Sequence, residues 1–307
     1  MKKTFILLLY IALSLILVAQ SNIRLNNYWG DMHFINPASI YDKYDAVFSM
    51  AARKQWLGIK GAPTTFFASG TTYLESSHTQ LGLSLIQDKV GYTSISNVNL
   101  SYGYAIMFKY DWQLHLGLAG NYQSLTYDLA SINIMDGTDQ TAYNGLQPKK
   151  GFNADIGAEI TNKSLRIGVV SQNLLSLFPS MNALQTNTNY IYARYYQNMN
   201  GIVNIGSGIC GIQYANIYQM EFNLTSYFKF KQNNGLTDKP DLFDIGLFYR
   251  TKSELGMILG FNLSESLHVS YSYDYHFGSI SLGSFGTNEI MITYNLMRKP
   301  VCHNCWY

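Results

Sequence analysis

The chain has 307 residues, of which 13% are charged and 15% aromatic, with a formal net charge of +2. Soluble domains carry roughly 25% charged residues, so an ordinary solvated surface is excluded, and the small net charge leaves no footprint for nucleic acid. Hydropathy near neutral excludes a bundle of membrane helices and fits apolar residues spread by alternation, as in an outer-membrane β-barrel; a large secreted β-sandwich is the alternative.

At the N-terminus, Lys2 and Lys3 precede "FILLLYIALSLILV" and then "AQS". A charged start, a short apolar run and a small residue form a cleavable leader, with cleavage expected after Ala19. The run falls short of the roughly 20 apolar residues of a membrane-spanning helix. No later block reaches that length, so crossing a membrane falls to strands. No Cys lies near the cleavage point, which argues against a lipoprotein.

The next segment, "SNIRLNNYWGDMHFINPASIYDKY", neither alternates nor repeats. It is expected to plug the mouth or lumen of a barrel, or to cover its periplasmic opening. We therefore divide the chain into a leader (1–19), a plug or cover (20–43), a barrel (44–297) and a short periplasmic tail (298–307).

From there segment after segment sorts into two faces with period 2. "WQLHLGLAG" sets Leu114, Leu116 and Leu118 against His115, Gly117 and Ala119. "GFNADIGAEI" sets Phe152, Ala154, Ile156, Ala158 and Ile160 against Asn153, Asp155, Gly157 and Glu159. "SLHVSYSYDYHF" sets Tyr271, Tyr273 and Tyr275 against Ser270, Ser272, Asp274 and His276. The water face of a sandwich strand normally carries Lys and Glu. Here the second face is small and polar, which suits a crowded lumen, while the apolar face repeatedly ends in Tyr, as membrane girdles do. A barrel is therefore preferred. Fifteen candidate strands are counted, and bacterial barrels have an even number. Segments 201–206 and 209–215 are read as one bent strand, giving fourteen. The long connections 128–150, 174–190 and 231–240 are expected outside the cell.

Sites for chemistry are few. There is no G-x-S-x-G, no Walker loop and no H-E-x-x-H, so neither catalysis nor a cofactor is expected. Ser270, Ser272, Asp274 and His276 share a face, a weak hydrolase constellation that also reads as lumen polarity. Asp155 and Glu159 read as lumen charges tied to Arg or Lys of facing strands. Cys302 and Cys305 form one C-x-x-C in "CHNCWY", and no second cluster completes a metal site. A local disulfide or free thiols are expected there.

The stretch "RKQWLGIKGAPT" is the most distinctive in the chain. Arg53, Gln55, Trp56, Gly58, Gly61, Ala62, Pro63 and Thr64 form R-x-Q-W-x-G-x-x-G-A-P-T. Upstream stands Asn36-Pro37-Ala38; downstream follow Gly82, Asp88, Gly91 and Tyr102–Ala105, and near the end Tyr273, Asp274 and Glu289-Ile290. Together they resemble the PorP/SprF family of type IX secretion system membrane proteins of Bacteroidetes. Asn288 stands where that family commonly has His, so no role of that His carries over. The resemblance implies an outer-membrane barrel that assists secretion or surface attachment of cargo proteins, gliding adhesins among them. It also implies contact with periplasmic and outer-membrane components of the apparatus, and with lipid. A solute channel is the alternative.

Physically, Gly58, Gly61 and Pro63 suit a tight turn between the first two strands. Arg53, Gln55 and Gly61 are expected on one face, with Trp56 opposite at the membrane interface. Arg53, facing inward, needs a carboxylate or carbonyls of the plug. The motif reads as a structural corner or as a docking surface.

Overall fold

A computed structural model of the chain describes residues 23–129, 132, 144–178, 181, 183–197, 202–229, 241–251, 254–277 and 279–298. The leader and the Cys302/Cys305 tail lie outside the described residues. The meander opens with β1 (Tyr44–Lys54), β2 (Thr64–Leu74), β3 (Thr79–Val90) and β4 (Thr93–Met107). It continues through β5 (Gln113–Tyr127), β6 (Lys149–Thr161), β7 (Leu165–Gln172) and β8 (Thr188–Tyr196). The next three are β9 (Val203–Tyr214), β10 (Ile217–Phe228) and β11 (Phe243–Arg250). The last three are β12 (Glu254–Asn262), β13 (Leu267–His276) and β14 (Thr287–Met297). Each strand pairs antiparallel with the next, and β14 pairs with β1, so the sheet closes into a fourteen-stranded barrel with no free end. The sandwich alternative is thereby overturned, and 201–215 contributes the single strand β9.

The two faces separate as alternation requires. Along β5, His115 is buried and Leu116 is 45% exposed, and Leu118 is 58% exposed beside buried Ala119. Leucines, isoleucines and tyrosines therefore clothe the outside, and polar or small residues point inward.

Residues 23–43 run through the interior. Two single 3-10 turns, Asn27–Trp29 and Met32–Phe34, compact the segment, and the Asp31 side chain accepts the His33 amide at the second. The hydrophobic core is the contact between this plug and the wall. Leu25, Tyr28, Trp29, Met32 and Ile35 pack with Phe67, Tyr190, Tyr192, Cys210, Ile212 and Met291.

Two glycines make room for it. A Cβ on Gly117 would lie 2.2 Å from the Ala38 nitrogen, and one on Gly157 1.9 Å from Asn36 Oδ1. Any side chain at either position collides with the plug.

An even strand count places Tyr44 and Met297 at the same end, here the terminal end. The connections 128–150 and 174–190 are flanked by strand ends at the opposite, far end, Tyr127 and Lys149 for one and Gln172 and Thr188 for the other; residues 130, 131, 133–143, 179, 180 and 182 within them lie outside the described residues. The third, 231–240, lies outside the described residues, but the strands that flank it correct the expectation that all three share one side. Phe228 of β10 pairs with Phe243 of β11, and counting strands puts that pair at the terminal end. Strand parity, not loop length, decides the side.

Candidate functional site: the plugged lumen and its buried charges

The inward register of six strands, β1 and β10 to β14, carries charge toward the far end of the lumen. Arg53 and Glu289 are cross-strand partners on β1 and β14, and Glu254 and His276 are partners on β12 and β13. Glu221 on β10 stands opposite Arg250 on β11. Arg53, Glu221, Arg250, Glu254, Asp274 and Glu289 are each 3% exposed or less. Unpaired charges at such depth are untenable, and the plug supplies the missing partners.

Arg250 is the hub. Its Nε binds Glu221, its Nη1 lies 3.1 Å from Glu254 Oε1 and donates to Asn26 Oδ1 at 3.0 Å, and its Nη2 donates to the Leu25 carbonyl at 3.2 Å. Arg53 Nη1 donates to the Arg24 carbonyl at 2.6 Å. Its other nitrogens stand 3.7 Å from Glu254 and Asp274 and 4.0 Å from Glu289. Both partner types expected for Arg53 are thus beside it. Arg24 reaches Glu254 at 3.2 Å.

Glu289 acts as a cap. Its two oxygens accept the backbone amides of Asn26 and Asn27 at 2.7 and 2.8 Å, donors that the start of a short helical turn leaves unsatisfied. Asp274 accepts from Asn26 Nδ2 at 2.6 Å, and Glu221 accepts from Trp29 Nε1 at 2.7 Å. Three guanidiniums thus face four carboxylates, with His276 between Asp274 at 3.0 Å and Glu254 at 3.2 Å.

A second cluster holds the plug lower down. Asn36 accepts the Ala38 amide at 2.9 Å, a local turn that uses its side chain as a substitute backbone. Its Nδ2 donates to the Tyr192 hydroxyl at 2.8 Å, which donates in turn to Glu159 at 2.5 Å. Glu159 also lies 3.6 Å from Arg166 and 3.3 Å from His115. Pro37 follows Asn36 and packs its carbonyl over Gly103.

Asp155 differs from the expectation. Its partners are amides, Asn121 and Asn99 side chains and the Asn173 backbone N–H, at 2.8 to 3.2 Å. These donors satisfy its lone pairs without a cation. Ser272 accepts from Asn26 at 3.1 Å, so its hydroxyl is engaged in holding the plug.

Trp56 corrects a further expectation. β1 ends at Lys54, and Trp56 takes a left-handed φ of 49°, which breaks the alternation. Its ring meets His276 edge-on at 6.0 Å instead of facing the membrane interface. Gln55 donates its amide to the Pro63 carbonyl at 2.9 Å. Gly61 lies in the turn, on neither strand face, with Ala62 beside it. The turn is stapled to the β13–β14 connection by Leu57 N–H to Gly286 O at 2.8 Å and Phe285 N–H to Leu57 O at 2.7 Å. Tyr273, on the outer face, donates to the Phe285 carbonyl at 3.1 Å.

Gly58 holds this staple, with φ of 94° and an ideal Cβ 2.8 Å from the Phe285 ring. Gly58→Val is expected to cost about 1–3 kcal/mol through the strained backbone alone. Thermal unfolding in detergent checks this, and an unchanged melting curve contradicts it.

Sequence motifs far apart therefore meet on one object. Arg53, Asp274, Glu289 and Asn36 all contact the plug or its charges. Glu221, Arg250, Glu254 and Arg24 went unnoticed in the sequence. The signal of the three wall residues was a lone charge on the inward parity of an apolar strand, whereas Arg24 lies in the non-alternating plug, where parity says nothing.

Among solved structures the chain is similar to the toluene transporter TbuX of Ralstonia pickettii. The identity is 9% and the TM-score 0.50, covering 86% of this chain and 93% of that one. It is also similar to the toluene transporter TodX of Pseudomonas putida, with 8% identity, a TM-score of 0.47, and 90% and 95% covered. A FadL homologue of Pseudomonas aeruginosa aligns with 10% identity and a TM-score of 0.44, covering 86% and 93%. No curated protein matches the chain. The TbuX likeness is one of fold, that of an outer-membrane barrel. The model of the type IX secretion system membrane protein PorP/SprF matches residues 17–294, nearly the whole chain, and this outer-membrane β-barrel belongs to that family.

Proposed function

We propose that the barrel serves type IX secretion as a docking component and not as a conduit. It assists the secretion or surface attachment of exported proteins such as adhesins, and it links them to periplasmic parts of the apparatus. The observation that carries this reading is the filled lumen. A segment clamped by buried ion pairs and pressed against Gly117 and Gly157 leaves the wall and its two rims as the working surfaces. In this reading the terminal end faces the periplasm and the far end faces outward. A cavity of about 570 Å³ lies at the terminal end, lined by Tyr41, Lys43, Tyr44, Lys163, Arg166 and Tyr196 among others. Its lining mixes aromatic rings with charges of both signs, Asp42 and Asp111 included, which suits a periplasmic polypeptide.

The test is purification of the tagged full chain from outer membranes after mild crosslinking. Recovery of a surface adhesin and a periplasmic component, together with periplasmic retention of that adhesin in cells lacking the chain, is the expected result. A barrel recovered alone, with adhesin display unaffected by its deletion, overturns the proposal.

A further inference from the structure

The wall of the barrel is incomplete at one seam. Six residue pairs join β6 to β7, from Ile156↔Ser171 to Thr161↔Arg166, the shortest ladder in the sheet. β6 extends seven residues further toward the far end, Lys149 to Asp155, all paired with β5 on the other side. Among the described residues no strand pairs with them on the β7 side. The reason is local. β7 ends at Gln172, Asn173 takes a left-handed φ of 57°, and the chain turns into the 3-10 turn Leu174–Leu177. Asp155 and Asn153 hold this departure by accepting the Asn173 and Leu175 amides at 2.8 and 2.9 Å.

The register identifies which backbone groups are left over. The β6–β7 turn closes with Asn162 N–H donating to Leu165 C=O at 2.8 Å. Hydrogen-bonded pairs alternate along an antiparallel ladder, so even-numbered residues of β6 aim their amides at β7. Beyond Ile156 these are Ala154, Phe152 and Lys150. The Ala154 amide is taken by the Asn153 side chain at 3.0 Å. The N–H and C=O groups of Phe152 and Lys150 then line up along an edge with no backbone partner among the described residues.

The surroundings favour an occupant. Phe152 is 69% exposed, and Leu177, Phe178 and Met181 are each at least 50% exposed. Lys149 and Lys150 stand exposed at the outer end. Bare backbone polar groups beside an apolar rim in an outer-membrane wall are costly, and an extended chain satisfies both features at once.

We propose that this seam is a docking edge for an extended segment of an exported polypeptide. That segment adds as a strand beside Lys149–Asp155, with apolar side chains over Phe152 and Leu177 and an acidic residue near Lys149 and Lys150. The proposal deepens the secretion reading and rests on it for the origin of the segment.

The test places a photo-crosslinking residue at Leu177 of the full chain in its native outer membrane, combined with Phe152→Pro or Phe152→Ala. Proline deletes the edge-facing amide and leaves the β5 ladder, while alanine keeps that amide. The expected result is an adduct with an exported protein, mapped to one extended segment. It is reduced at least tenfold by Phe152→Pro and less than threefold by Phe152→Ala, at equal levels of heat-modifiable barrel. Adducts with lipid alone, with a second copy of this chain, or insensitive to proline overturn it. If the proline-sensitive adduct with an exported protein forms while a strain deleted for this chain still displays its adhesin normally, the secretion reading fails and the docking edge stands.

Discussion

Replacement of Arg250 by Met is expected to cost about 3–5 kcal/mol, the penalty for leaving buried carboxylates without their cation. Arg250 is 1% exposed and binds Glu221, Glu254, Asn26 and the Leu25 carbonyl. Its loss strips one wall carboxylate, Glu221, of the cation beside it, and removes two anchors of the plug. Arg250→Lys keeps the charge but not the planar fork that reaches both strands and the plug, so it is expected to fall between Met and the native residue. Arg250→Met with Glu221→Gln removes the stranded charge and is expected to recover part of the loss. Thermal unfolding in detergent orders the variants. A single Met variant as stable as the native barrel would show that the ion network contributes little.

Gly117→Val is expected to separate the plug from the barrel. The added carbon would sit 2.2 Å from the Ala38 nitrogen and 2.4 Å from the Pro37 carbonyl carbon, which are backbone atoms and cannot rotate away. Overpacking of a tight core costs about 1–3 kcal/mol. At Gly117 the wall is laddered on both sides, to Gly103 of β4 and Gly157 of β6, so the plug is the part that yields. Proteolysis within residues 24–40 and entry of large antibiotics into cells are expected to rise, with the heat-modifiable barrel retained. Gly120→Val is the control, because nothing lies within 4 Å of its ideal Cβ. Equal protease resistance of the two variants would contradict the close packing.

The strands were legible because lipid and lumen make opposite demands on neighbouring residues. "GFNADIGAEI" announces both faces without help from any other segment. The inward direction of Arg53, Glu159 and Asp274 followed from the same parity. Their partners did not. Arg53 and Glu289 are adjacent only because the barrel closes, and no local pattern says which strands meet at a closure. Trp56 escaped because alternation carries no information past the last strand residue. Its left-handed backbone turned the ring toward His276. Asp155 escaped because an amide and a guanidinium serve a carboxylate equally well in one dimension. That β10 ends and β11 begins at the terminal end was within reach of strand counting, and the length of the segment between them misled.

A lumen filled by residues 23–43 is tested most directly by single-channel recording in planar bilayers. The unaltered protein is predicted to insert without steady ion conductance, and deletion of residues 24–40 to open it. A steady open conductance from the unaltered barrel, indifferent to that deletion, would contradict the account.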